Sequence, residues 1–136
     1  MWGRGYGPIG LSVALMASRG RVAMVDINER AVELAKRNAQ RNRIENVRIL
    51  QSDMLEAVMD QTFDAVLTNP PIRAGKETVH RIFEQAHQVL KPGGALWVVI
   101  QKKQGAPSAW AKLETLFSQV EEKERDKGYW IIKATK

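Results

Sequence analysis

Four consecutive residues, Asn69-Pro70-Pro71-Ile72, are the ones whose types and order could do chemistry. They follow the apolar run Phe63-Asp64-Ala65-Val66-Leu67-Thr68, which reads as a buried strand. Each proline fixes its own φ and lacks an N–H, and Pro70 also biases Asn69 away from helical angles. The strand exit is therefore stiff. It offers an amide oxygen (Asn69) beside a carbonyl (Pro70), and both accept hydrogen bonds. Such a pair suits a planar exocyclic amine, which has two N–H donors to give. The same residues also serve as a plain strand-to-loop exit, with proline stopping the strand. On these residues alone, both readings stand.

A second group lies near the start. Residues 3 to 10 read Gly-Arg-Gly-Tyr-Gly-Pro-Ile-Gly and open onto an apolar helical stretch from Ile9 to Ser18. A Gly-rich turn at a helix start brings backbone N–H groups close to an anionic or polar ligand. Gly5, Gly7 and Gly10 satisfy the dinucleotide spacing, although that motif should follow a strand and only Met1 and Trp2 precede it. Asp26 closes the short apolar strand Arg21–Asp26, 21 residues beyond Gly5. That matches the offset of about 20 residues at which an acid meets ribose hydroxyls. Asp53 follows the next strand, Val47–Gln51.

These groups need a scaffold, and the hydrophobic pattern supplies one. Asn28 caps a helix over Glu29–Asn42 that turns Val32, Ala35 and Ala39 inward. Met54–Asp60 has room only for a helical turn. After Gly75 and Lys76, apolar residues recur at Val79, Ile82, Phe83, Ala86, Val89 and Leu90, the spacing of a long helix. His80 and His87 fall off that stripe and are expected to face solvent. Lys91-Pro92-Gly93-Gly94 stops the helix and turns the chain. Ala95–Ile100 is a strand buried on both faces. A helix over Pro107–Ser118 buries Trp110, Leu113, Leu116 and Phe117, and Val120–Arg125 with Tyr129–Ala134 closes the fold as an antiparallel hairpin. Alternating strands and helices make this an α/β, Rossmann-like, doubly wound and mostly parallel sheet, in a single domain over residues 1–136.

Composition narrows the partners. The chain has 136 residues, a net charge of +6, no cysteine and two histidines. Disulfides, a thiol nucleophile, a Cys-based zinc site and a His-rich metal centre are excluded, so no metal is expected. The basic balance favours nucleic acid over a membrane. Gly10–Ser18 is a buried helix rather than a signal peptide, which implies a cytoplasmic protein.

Taken together, the Gly turn, Asp26, Asp53 and Asn-Pro-Pro-Ile resemble class I S-adenosylmethionine-dependent methyltransferases. More narrowly they resemble the small-domain group that includes ribosomal RNA guanine-N2 methyltransferases. Gly-Tyr-Gly-Pro-Ile-Gly, Asn-Pro-Pro-Ile-Arg-Ala-Gly-Lys and Gln-Lys-Lys-Gln-Gly-Ala-Pro-Ser-Ala carry the likeness from Gly3 to the C-terminus. The resemblance implies S-adenosyl-L-methionine as cofactor. Gly3, Gly5 and Gly7 would pack on its methionine portion, Asp26 would accept from the ribose hydroxyls and Asp53 from the adenine amine. Asn69 and Pro70 would hold the target amine beside the transferring methyl. Ile72 would lie on the base where relatives that modify adenine or glutamine often carry an aromatic residue, which favours guanine N2. Arg73, Lys76, Lys102 and Lys103 would meet RNA phosphates, or else serve as soluble surface.

One departure stands out. The family has a strand before the Gly turn, placed centrally between Val22–Val25 and Phe63–Thr68, and here it is missing, so the domain is expected to be shortened at its N-terminus. The gap is filled by a second chain as a homodimer, filled by rearranged N-terminal residues, or closed by direct pairing of its flanking strands. Two further readings remain: a non-catalytic RNA-binding remnant of the same fold, and a nicotinamide-dependent oxidoreductase using Gly5, Gly7, Gly10 and Asp26.

Overall fold

The structure, a computed structural model, describes residues 20–52, 55–101, 106–126 and 129–136. The Gly-rich turn and the helix expected over Ile9–Ser18 lie outside those residues. Among the described residues, six strands form one sheet: β1 (Val22–Asp26), β2 (Val47–Gln51), β3 (Phe63–Thr68), β4 (Leu90–Gln101), β5 (Gln119–Asp126) and β6 (Tyr129–Thr135). The described helices, α1 (Glu29–Arg41), α2 (Lys76–Val89) and α3 (Ala106–Leu116), lie between them, with 3₁₀ turns at Glu56–Val58 and Ile72–Ala74. The spatial order is β2-β1-β3-β4-β6-β5. The first four strands run parallel, and β6 is antiparallel to both β4 and β5.

Period-two alternation splits the core into two layers. Ala23, Val25, Val66, Leu96, Val98 and Ile100 face α2 and α3. Val22, Met24, Ala65, Leu67 and Val99 face the other side, where α1 contributes Ala35 and Ala39. Helices therefore cover both faces, as a parallel sheet requires. No described helix is long and apolar enough to cross a membrane.

At the centre, β1 pairs directly with β3, from Val22↔Ala65 to Val25↔Thr68. Of the three ways to close the expected gap, direct pairing is the one observed. The two strands satisfy each other's backbone groups, so no slot between them is left for a strand from a second chain. Their amino ends are locked as well. Asp64 donates its N–H to the Arg21 carbonyl at 2.8 Å, and its Oδ2 accepts from the Arg21 N–H at 2.8 Å. Gly20, at φ 102°, makes this approach possible: a Cβ there would lie 2.5 Å from Asp64 Oδ2.

Local signals explain most boundaries. The Asn28 side chain accepts from the Ala31 N–H at 3.1 Å and starts α1. Residues Val79, Ile82, Phe83, Ala86 and Val89 of α2 are all buried. Other expectations need correction. Leu90 is buried but opens β4 instead of ending α2, and pairs with Phe63. Residues 91–94, read as a turn, are a bulge inside β4, since the next β3–β4 pair is Ala65↔Ala95. Trp110 and Leu116 are half-buried rather than buried. The histidines do not face solvent freely. His80 Nε2 lies 3.4 Å from Ser108 Oγ, and His87 packs edge-on against Phe117 at 5.1 Å. Burial in the α2–α3 seam lowers the pKa of both rings.

Candidate active site

β1 and β3 are in register at Val25↔Thr68, so the next residues, Asp26 and Asn69, emerge side by side at the carboxyl edge of the sheet. In an open α/β sheet this edge is where ligands bind. Asp26 is 3% exposed. Its Oδ1 accepts the Asn28 backbone N–H at 2.8 Å, and the Asn69 side chain lies near enough to the same carboxylate to favour its charged form. A carboxylate can only accept, so Asn69 Nδ2 is the amide atom that faces it, which turns the amide oxygen Oδ1 away from Asp26.

Burial is the main influence on Asp26 and raises its pKa, while the Asn28 N–H and the nearby Asn69 side chain pull it part of the way back. Asn28 thus has two roles, capping α1 with its side chain and bonding Asp26 with its backbone. The Asp26 carbonyl also accepts from the Ser52 N–H at 3.1 Å, which ties the exits of β1 and β2 together. Sequence reading identified Asn28 as a cap only. Its second role depends on where the β1 exit turns, which no local pattern reports.

Beyond Asn69 the chain stays rigid. Pro70 is buried and Pro71 half-buried. The Pro71 carbonyl accepts from the Ala74 N–H at 2.8 Å and closes the turn at Ile72–Ala74. Gly75, at φ 107°, then redirects the backbone into α2, a conformation that favours glycine. Arg73 and Lys76 are exposed on this segment. Gln85 of α2 reaches the Leu55 N–H with its Oε1 at 2.9 Å, fixing the loop after β2 against the helix.

Of the expected site residues, the structure brings together Asp26 and Asn69, with Pro70, Pro71 and Arg73 following along the same exit. Ile72 is described through its backbone alone. Gly3, Gly5, Gly7, Asp53, Lys102 and Lys103 lie outside the described residues.

Comparison with known proteins adds an independent line. Residues 2–133 match the family model described as "Methyltransferase small domain". The chain is 58% identical to the protein YbxB of Bacillus subtilis over 135 residues, covering 98% of this chain and 67% of that one. It is 32% identical to the ribosomal RNA large subunit methyltransferase G of Streptomyces avermitilis, covering 98% of this chain but 36% of that protein. The chain thus spans about two thirds of the first relative and little more than a third of the second. Among solved structures it is similar to the Thermus thermophilus 16S rRNA N2 G1207 methyltransferase, in complex with AdoMet and guanosine. The TM-score there is 0.59 at 21% identity, over 96% of this chain and 39% of that one. At that identity the likeness is one of fold.

Proposed function

The chain belongs to the methyltransferase small-domain family, and from that premise we propose that it methylates an exocyclic amine of ribosomal RNA, guanine N2, using S-adenosylmethionine. The observation that carries this reading is the β1–β3 register, which sets Asp26 beside Asn69 at the carboxyl ends of two adjacent strands. With Nδ2 toward the carboxylate, Oδ1 is the amide atom presented beside the chain's stiff Pro70–Pro71 exit.

The donor set at Asp26 fits the cofactor's ribose. A carboxylate has about four lone-pair positions, and the bond from Asn28 takes one, leaving acceptors for ribose hydroxyls. S-adenosylmethionine, when bound, supplies a sulfonium methyl that an amine nitrogen takes up, the sulfur keeping the bonding electron pair and the nitrogen shedding a proton. The chain's own task is placement. Asn69 Oδ1 and the Pro70 carbonyl accept the two N–H bonds of the target amine, fix its plane and stabilise the positive charge that grows on nitrogen. Orientation of this kind supplies up to ~7–11 kcal/mol of rate for well-aligned reactants. Gly3, Gly5, Gly7 and Asp53 would hold the rest of the cofactor, Ile72 would lie against the base, and Arg73, Lys76, Lys102 and Lys103 would take phosphates. With its RNA, the protein works in the cytoplasm. The nicotinamide reading drops out with the family membership.

One observation favours the second reading, a non-catalytic RNA-binding protein of this fold: Asp26 is 3% exposed, so ribose must enter a closed contact. Incubating the protein with methyl-labelled S-adenosylmethionine and unmodified ribosomal RNA, then digesting to nucleosides, separates the two. Label in N2-methylguanosine is expected. Label in N6-methyladenosine would move the target, and RNA binding without label or cofactor heat would establish the remnant.

A further inference from the structure

The chain's positive excess is concentrated on one element. Lys36, Arg37, Arg41 and Arg43 all fall within residues 36–43, which hold no acid, in a chain whose net charge is +6. We infer that the outer face of α1 is a docking surface for the phosphate backbone of duplex RNA, separate from the Asp26–Asn69 pair.

The buried stripe of α1 decides where its cations point. Val32, Ala35 and Ala39 pack inward. At about 100° per residue, Arg30, Arg37 and Arg41 fall in one line on the opposite side. All three are exposed. The line runs for about 16 Å along the helix. It begins two residues past Asn28, whose N–H bonds Asp26. It ends toward the amino edge of the sheet, where the Asn46 carbonyl accepts from the Val22 N–H at 3.0 Å. Glu33 and Glu45 are the nearest acids in sequence to Arg37 and Arg43. Among the described residues, neither forms an ion pair with these arginines. Residues 1–19 contain no Asp or Glu that could do so.

Arg43 is an independent sign. Its N–H donates to the Gln40 carbonyl at 3.2 Å, and the Ile44 N–H donates to the Ala39 carbonyl at 2.8 Å, the paired bonds of a Schellman stop. Arg43 stands there at φ 55°, the only non-glycine at positive φ among the described residues. Glycine takes up that conformation most readily, so the arginine is placed against the local backbone preference. The helix dipole favours a cation in or just after the last turn, which covers Arg41 and Arg43 but not Arg30 or Arg37.

Guanidinium groups match phosphate oxygens in forked pairs. Residues 28–48 contain no aromatic side chain, so nothing on this face stacks the unpaired bases of a single strand. Duplex RNA needs no stacking partner and is held through its backbone. A membrane surface fits less well, because the apolar stripe of α1 is already packed on the sheet. A duplex on this line leads toward the edge that carries Asp26 and Asn69, and it binds whether or not those residues transfer a methyl group.

The test uses the full chain without cofactor and a fluorescent RNA duplex of about 16 base pairs, followed by anisotropy across a salt series. Arg37→Gln and Arg41→Gln should each weaken binding and lower the slope of log affinity against log salt by about one. Arg43→Gly should weaken binding while the urea midpoint holds or rises. The triple variant should lose at least about tenfold in affinity. Lys91→Gln removes one positive charge from the bulge in β4 and should leave binding within about twofold. Unchanged affinity in the triple variant overturns the proposal, as does a loss from Lys91→Gln equal to that from Arg41→Gln. Tighter binding of a DNA duplex, a uridine oligomer or polyglutamate than of the RNA duplex overturns it too. Methyl transfer enters none of these readouts, so its failure and the failure of this surface are told apart.

Discussion

The β1–β3 pair carries an aspartate at each end, and the two behave in opposite ways. At the carboxyl edge, Asp26 is 3% exposed, bonded to Asn28 and close to Asn69, and its pKa is raised by burial. At the amino edge, the Asp64 side chain is 41% exposed, and its pKa is lowered, first by the Arg21 N–H and then by Lys91 at 3.5 Å. Burial dominates one carboxylate and hydrogen bonding the other. Asp64 stabilises the fold in its charged form. Asp26 costs stability in its charged form, which at the ligand-binding edge marks it as a candidate site residue.

The sharpest way to break this contrast is to remove the amide that Asp26 orients. Asn69→Ala should cut kcat for methyl transfer about 10²–10³-fold, the effect of losing one preorganised electrostatic partner of the transition state, with the urea midpoint nearly unchanged. A comparable loss of stability would mean that Asn69 serves the fold and not the reaction. At the opposite edge, Gly20→Ala forces a side chain into positive φ and against Asp64 Oδ2. A loss of about 1–3 kcal/mol in urea unfolding is expected, with methyl transfer per folded molecule intact.

The two aspartates can then be compared by isosteric change. Asp26→Asn should weaken S-adenosylmethionine about tenfold in calorimetry, roughly 1.4 kcal/mol, yet leave stability at pH 7 equal or higher. The sign follows from linkage. With the folded pKa raised, Asp26's contribution is fully present below the unfolded value near 3.8 and is lost as pH rises through the folded value. Asp64→Asn should do the reverse, costing about 0.5–1 kcal/mol at pH 7 and nothing in activity, a small figure because the group is exposed and screened. With the folded pKa lowered, that contribution is present above 3.8 and lost as pH falls through the folded value. If Asp26→Asn proves the more destabilising of the pair at neutral pH, the contrast fails.

Much of this was legible in sequence because the signals are local. The apolar run Phe63–Thr68 and the stripe from Val79 to Val89 appear as expected, and Asn28 caps α1 by the rule for its residue type. The misreadings share a cause. Leu90 continues the helical spacing of α2, but its partner Phe63 on β3 draws it into the sheet. His80 and His87 lie off their own helix's apolar stripe, yet α3 packs over them. Of the site, Asp26 and Asn69 were identifiable by type and position. Their juxtaposition was not, because it depends on β1 and β3 being neighbours.

That neighbour relation has a kinetic side. Val22 and Ala65 pair in parallel across 43 residues of chain (65 − 22), whereas Asp126 and Tyr129 of the closing hairpin are 3 apart (129 − 126). Closing a loop costs more entropy the longer it is, and parallel pairing waits on everything between. The hairpin can zip early, while the edge that holds Asp26 beside Asn69 is expected to assemble late, so a partly folded molecule should lack the site.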